Sequence, residues 1–342
     1  MEFTIFNLLV SLIVDFLSIF LKKGGDIGYM NISSFKDILR YVQQNKPKKI
    51  AIAAAQDTDV LEAVIKAKNL GIAEAILVGD WEKIKEILHL LKIKKDIFQV
   101  IDIKDTKEAA QKAVSLVRNM EADILMKGLI PTSELLKAVL DKENGLRGNN
   151  LLSHVAVFEF EQYNRLLILS DAAMNIAPSL EEKRQIIENA VFVARSIGIE
   201  LPKVAVLSAV ELVNPAMNST LDAANLSKMA ERGQIKNAII DGPLALDNAV
   251  SEKAAAHKGI HSPVAGKADV LIVPNIEAGN VLYKSFVYFA HAKSAGILAG
   301  AKAPVVLTSR SDSAETKINS ISLSILMSNL NGSVKQIMKN DN

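Results

Sequence analysis

The 342-residue sequence contains no cysteine, and only 5% of its residues are aromatic. The absence of cysteine excludes disulfide bonds, thiolate metal sites and an acyl-cysteine intermediate. Lys and Arg number 40 against 38 Asp and Glu, so the formal net charge is +2. This composition has neither the cationic excess nor the aromatic stacking platforms typical of nucleic-acid binding. It favours a soluble, cytoplasmic enzyme or binding protein.

Long hydrophobic runs are scarce, and the exception is near the start of the chain. Residues Phe3–Leu21 are nearly all apolar and numerous enough to span a bilayer, but no basic residue precedes them and no cleavage site follows, so a signal peptide fits poorly. Residues 22–26 (KKGGD) are what a translated bacterial ribosome-binding site would encode, shortly before Met30. We therefore predict that the native chain starts at Met30 and that residues 1–29 are an apolar leader. The alternative is a membrane anchor.

From residue 32 onward, helical periods alternate with short apolar runs. This alternation predicts βαβ units and a parallel sheet that helices cover on both faces. The apolar runs at 155–160 and 166–169 are close enough to pair as a hairpin-like unit. Because the chain is longer than one hydrophobic core usually serves, we expect two domains, with a boundary in the polar, glycine-rich segment 142–150.

In open α/β sheets, ligands bind where strands end and loops lead into helices. The richest such segment is 307–317 (LTSRSDSAETK), which places Ser309, Arg310 and Ser311 between a buried strand and a helix start. Helix N-termini attract anions, and arginine can bind phosphate through two parallel hydrogen bonds. The segment therefore favours a phosphate or phosphoester site. The alternative is purely structural: Asp312 caps the helix and Glu315 completes a capping box.

A second candidate site combines Asn280 with Tyr283 and Lys284. A helix predicted over 281–290 places Asn280 at its start and Lys284 four residues on, along the same face. The alternative is an N-cap followed by a solvated lysine. The sequence has no glycine-rich dinucleotide fingerprint and no P-loop, which disfavours nicotinamide and nucleoside triphosphate chemistry.

Several ordered blocks resemble the phosphate acetyltransferase/phosphate butyryltransferase family. The first is 262–280 (SPVAGKADVLIVPNIEAGN), together with Tyr283-Lys284 and Ser309-Arg310. Asp171–Asn175 and Asp241–Asp247 are similar to two further blocks in the same order. Residues 126–128, 146–147, 153–154 and 307–312 look closest to the butyryl-transferring members. The likeness extends from about residue 32 to the C-terminus.

The resemblance implies two α/β domains, each with a mainly parallel sheet flanked by helices, around a cleft, as in isocitrate/isopropylmalate dehydrogenases. The first domain would comprise residues 30–148 plus 292–342, and the second residues 149–291. The implied reaction is butanoyl-CoA + phosphate = butanoyl phosphate + CoA, by direct transfer without a metal or redox cofactor. A homo-oligomer and a butyrate kinase as pathway partner are also implied.

The resemblance also implies residue roles. Ser309 would hydrogen-bond the thiol sulfur or the oxyanion, and Arg310 would hold phosphate. The phosphate- and CoA-binding residues would be Lys127, Arg147, Asn280, Tyr283, Lys284 and Ser311. Acetyl-transferring relatives have an aspartate as proposed base seven positions after the serine, where this chain has Thr316. Asp312 or Glu315 would then be the catalytic carboxylate, or none is used.

Three alternative functions stay open at this point. The acyl group could be acetyl or branched rather than butanoyl, because one methylene changes binding by only about 1–3 kcal/mol. The same architecture also hosts metal-dependent hydroxyacid dehydrogenases. Finally, the chain could be a non-catalytic CoA-binding protein, which would be membrane-tethered if residues 1–29 are an anchor.

Overall fold

The computed structural model describes residues 32–307 and 312–340, with side chains for all of these except Lys95 and residues 330–340. The predicted leader at 1–29 lies outside the described residues, and so do Ser309, Arg310 and Ser311.

The described strands form one eleven-stranded sheet in the order β3-β2-β1-β4-β11-β10-β5-β6-β9-β7-β8. The strands, in chain order, are β1 (Lys48–Ala53), β2 (Ala73–Gly79), β3 (Gln99–Asp102), β4 (Ile124–Lys127), β5 (Ser153–Glu159), β6 (Leu167–Ser170), β7 (Lys203–Leu207), β8 (Ile239–Leu244), β9 (Val270–Ile272), β10 (Lys293–Ala299) and β11 (Val305–Val306). Neighbours are parallel except at β11–β10, β10–β5 and β5–β6. The predicted α/β class with a mainly parallel sheet is confirmed, as is the hairpin-like pairing of β5 with β6.

Helices connect the strands and cover the sheet. In chain order they are α1 (Phe35–Gln43), α2 (Thr58–Asn69), α3 (Trp81–Leu90), α4 (Thr106–Arg118), α5 (Thr132–Val139), α6 (Leu180–Ser196), α7 (Asn218–Glu231), α8 (Leu246–Val250), α9 (Glu252–His257), α10 (Ile276–Tyr288) and α11 (Ala314–Asn340). Short polar residues fix their starts. Asp57 accepts from the Val60 amide at 3.0 Å, and Ser179 forms a reciprocal capping box with Glu182. No helix within 32–307 and 312–340 has the length and apolarity to cross a bilayer.

Both faces of the sheet are buried, because successive residues of a strand point to opposite sides. In β1, Ile50 and Ile52 belong to one apolar layer, whereas Ala51 and Ala53 belong to the other. Alanines of α4 pack in the second layer, so small side chains face each other across that interface. The near-continuous apolar character of the strands is therefore a consequence of cover on both faces.

Two local predictions are wrong. Helix α10 begins at Ile276 rather than 281, because the side chain of Asn275 accepts a hydrogen bond from the Ala278 amide at 2.9 Å. Asn280 is therefore inside the helix and is not its N-cap.

The second correction concerns the start of α11. The Thr316 amide donates to the Ser313 hydroxyl at 3.1 Å, so Ser313, and not Asp312, is the N-cap of this helix.

The β10–β11 pair joins two parts of the sheet. Strand β11 pairs with β4 in parallel, and β10 pairs with β5 over seven residues in antiparallel. Residues 32–148 contribute β1 to β4, and residues 149–291 contribute β5 to β9. The domain boundaries at 148/149 and 291/292 stay a prediction.

Candidate active site

A cavity of about 430 Å³ lies where β4, the loop after β6 and the segments next to residues 308–311 come together. Its lining residues come from both predicted domains, and they are Lys127, Thr132, His154, Ala172, Ala173, Asn280, Tyr283, Lys284, Gly296, Leu307 and Asp312. Lys127 is the last residue of β4, and Ala172 follows β6. The cavity is thus at strand ends, the part of an α/β sheet where ligands bind.

A second cavity of about 270 Å³ adjoins the first and shares Tyr283, Lys284 and Asp312 with it. Thr316 and Glu315 line this second cavity only. The two cavities together form a polar groove that runs along one face of α10.

Helix α10 is held close to the loop after β6. Asn280 donates from its side-chain amide to the Ala172 carbonyl oxygen at 3.3 Å, and a Cβ at Gly279 would lie 2.6 Å from the Asp171 carbonyl oxygen. The loop itself is fixed by the buried Asp171 carboxylate, which accepts the amides of residues 173, 174 and 175. Glycine at 279 therefore permits the approach that brings Asn280, Tyr283 and Lys284 to the cavity wall.

Two lysines give the cavity its positive character. Lys127 donates to the Gly128 carbonyl oxygen at 3.3 Å. The Lys284 ammonium lies 5.8 Å from the Tyr283 ring centroid and 5.9 Å from that of Tyr288. Both lysine side chains line the cavity, and ammonium groups there would attract an anionic ligand.

Burial changes the acidity of two rings in the wall. It raises the pKa of Tyr283 above 10.0, and the Asp312 carboxylate adds to the shift while a hydrogen bond with Ser294 opposes it. Burial lowers the pKa of His154 below 6.5, although the carboxylates of Asp171 and Asp312 act in the opposite direction. At neutral pH both rings are therefore uncharged hydrogen-bonding groups.

The structure does not place every candidate residue at this cavity. Arg147 is exposed, is not among the lining residues, and pairs through its backbone with Ala301. The Glu315 carboxylate is 59% exposed and lies 3.8 Å from the Lys293 ammonium. Ser309, Arg310 and Ser311 lie outside the described residues, but Leu307 and Asp312 on either side of that segment both line the cavity.

Sequence reasoning missed His154, Thr132 and Gly296 as parts of the cavity wall. His154 directly precedes the apolar run at 155–158 and is only 7% exposed, so its residue type and position fit a core residue as well as a site residue. Gly296 carried no signal, because its role depends on the pairing of β10 with β5.

A larger cavity of about 690 Å³ lies between α4 and α5. Its charged lining side chains are of both signs, and they lie along helix faces rather than at strand ends. Size alone does not define the site, because an anionic substrate needs converging positive groups.

The family model for phosphate acetyl/butaryl transferase matches residues 34–111 and 105–325. The chain therefore belongs to this family of acyltransferases. It is 55% identical over 298 residues to the phosphate butyryltransferase of Clostridium acetobutylicum, covering 86% of this chain and 98% of that protein. It is also 51% identical to the phosphate acetyltransferase of Thermotoga maritima, covering 85% and 98%. The crystal structure of a branched-chain phosphotransacylase from Enterococcus faecalis V583 superposes with a TM-score of 0.72 at 38% identity, covering 82% of this chain and 99% of that one.

Proposed function

We propose that this enzyme transfers a butanoyl group from CoA to inorganic phosphate: butanoyl-CoA + phosphate = butanoyl phosphate + CoA. The observation that carries the proposal is the cavity at the strand ends, where Lys127 and Lys284 converge, in a chain that is 55% identical to a phosphate butyryltransferase. Phosphate, the diphosphate of CoA and the developing oxyanion are all negative. A groove with fixed cations brings such groups together and stabilises the charge that forms.

Direct transfer in a ternary complex is the simplest mechanism for this chain. It has no cysteine to carry an acyl intermediate. Binding both substrates next to each other makes the attack effectively unimolecular, which contributes about 7–11 kcal/mol in well-oriented systems. We propose that no metal or redox cofactor takes part. We also propose that the enzyme acts in the cytoplasm as a homo-oligomer, upstream of a butyrate kinase.

The residue roles follow from the groove. Arg310 holds phosphate, and Ser309 hydrogen-bonds the sulfur or the oxyanion. Lys127 and Lys284 bind the anionic groups, and Asp312 moves the proton between phosphate and sulfur. Asp312 is preferred over Glu315 because it lines both cavities, whereas Glu315 lines one and is near Lys293. Arg147, although exposed, remains a candidate for the CoA phosphates.

A thiol-release assay over acetyl-, propanoyl-, butanoyl- and isobutanoyl-CoA tests the proposal. With phosphate and EDTA present and no nicotinamide, we expect butanoyl-CoA to give the highest kcat/KM, by about tenfold or more over acetyl-CoA. Omitting phosphate should abolish release. A preference for acetyl- or isobutanoyl-CoA would instead make the chain an acetyl- or branched-chain transferase. CoA binding without release would identify a non-catalytic CoA-binding protein, and activity that requires added metal and NAD would indicate a dehydrogenase.

A further inference from the structure

The imidazole of His154 is an unused buried group in the wall of the cavity. His154 lies on β5 and is only 7% exposed. Its ring meets the Tyr283 ring edge-on, with centroids 6.0 Å apart. A Cβ at Gly296 of β10 would lie 3.0 Å from the His154 Nε2 atom. Because glycine has no side chain, the space next to this nitrogen stays open. Both Gly296 and His154 line the cavity.

The other ring nitrogen determines which tautomer is present. Nδ1 is buried and has no hydrogen-bond partner among the described residues. The nearby Asp171 carboxylate is already used, because it accepts from backbone amides and from the Asn175 side chain at 2.6 Å. A buried N–H without a partner is rarer in proteins than a buried acceptor without one. The hydrogen-bond environment therefore assigns the proton to Nε2.

The ring is also neutral at the pH of the reaction. A charged imidazole would carry a second N–H at the unpartnered Nδ1, and burial disfavours that charge more than the carboxylates of Asp171 and Asp312 favour it. His154 thus presents a neutral N–H donor at Nε2.

We propose that His154 is a catalytic hydrogen-bond donor whose Nε2–H binds the acyl carbonyl oxygen of the thioester. This inference rests on the proposed function. Phosphate already carries its charge in the ground state and is matched by cations. The carbonyl oxygen gains negative charge only on the way to the tetrahedral intermediate, and a fixed, desolvated donor is most effective there.

The step balances without another reactant. A phosphate oxygen forms a bond to the carbonyl carbon, and the C=O electron pair moves onto the oxygen that His154 holds. The pair then returns, the C–S bond breaks with its electrons on sulfur, and Asp312 passes the phosphate proton to that sulfur. His154 stays neutral throughout and transfers no proton.

Three substitutions of His154 in the full chain test this role. His154→Phe keeps the ring against Tyr283 but removes the donor, and we expect kcat to fall about 10²- to 10³-fold. The KM values for phosphate and acyl-CoA should change less than about threefold, since the lost interaction belongs to the transition state. His154→Gln places an amide N–H near the Nε2 position and should recover kcat to within about tenfold of the wild type. His154→Asn places its amide near Nδ1 and should stay slow.

The inference is overturned if His154→Phe retains kcat within about threefold, or if folded His154→Gln is as slow as folded His154→Phe. Should the variants not fold, imidazole nitrogen NMR of the 15N-histidine-labelled wild type decides. His154 is buried, whereas the other histidines, at 89, 257, 261 and 291, are exposed, and His154 should give a neutral Nε2–H signature at neutral pH. An Nδ1–H signature contradicts the proposal. If the wild-type enzyme shows no phosphate-dependent thiol release, the proposed function is wrong. The NMR result on the His154 tautomer would still stand.

Discussion

Arg310 differs from the lysines of the groove in the geometry of its charge. Its guanidinium is planar and permanently charged, and it can donate two parallel hydrogen bonds to one phosphate group. We expect Arg310→Ala to lower kcat/KM by about a hundredfold or more, because one such contact to developing charge is worth about 3–4 kcal/mol. Steady-state thiol release measures this. Arg232→Ala is the matched control, since Arg232 is exposed at the end of α7. If the folded Arg310→Ala enzyme has near-normal activity, Arg310 does not bind phosphate in the reaction.

Residue types predicted part of the site and missed the rest. Asn280, Tyr283 and Lys284 were candidates from helical spacing, whereas Lys127 and Asp312 were candidates from the family resemblance. All five residues line one cavity. The i, i+3, i+4 spacing of 280, 283 and 284 sufficed because α10 continues through all three positions. His154 could not be selected in this way, because a histidine in an apolar strand is as easily a core residue. Its environment depends on β10, α10 and the loop after β6.

At the scale of elements, Gly279 sets how closely α10 approaches the loop after β6. An alanine Cβ would meet backbone atoms, the Asp171 oxygen at 2.6 Å and the Ala172 Cα at 2.9 Å. Alanine stabilises a helix by about 1 kcal/mol relative to glycine. Overpacking against the backbone costs about 1–3 kcal/mol, so we expect the substitution to destabilise the fold. We expect Gly279→Ala to lower the melting temperature and to slow thiol release about tenfold or more. Ala278→Ser, at an exposed neighbouring position, should do neither. A more stable and fully active Gly279→Ala variant would contradict this packing argument.

Element types followed closely from sequence, whereas element ends depended on single hydrogen bonds. The alternation of strands and helices was predictable because burial on two faces leaves long apolar runs in strands and amphipathic periods in helices. The start of α10 was misplaced because Asn275 and Asn280 are both plausible caps in the sequence. Only the bond from the Ala278 amide to Asn275 distinguishes them.

At the scale of the whole molecule, the family model matches from residue 34 onward, and the described residues after 31 form a complete sheet with two apolar layers and the cavity. A chain that starts at Met30 should therefore fold and keep its activity. We expect its melting temperature to match that of the full chain and its kcat/KM to agree within about twofold. Circular dichroism and thiol release on both chains provide the measurement. A truncated chain that is insoluble, or more than tenfold slower, would assign residues 1–29 a part in the native enzyme.

The sequence by itself determined the α/β class and the family, and it predicted a site at strand ends, because periodicity and ordered motifs are local properties. The tertiary structure alone decided the strand order and the antiparallel insertion of β10. It also decided that Arg147 is outside the cavity that contains Lys127, and that the Nδ1 atom of His154 has no partner within the described residues. The physical reason is that strand pairing and the surroundings of a buried side chain arise from contacts between residues far apart in the chain. No single window of sequence contains such contacts.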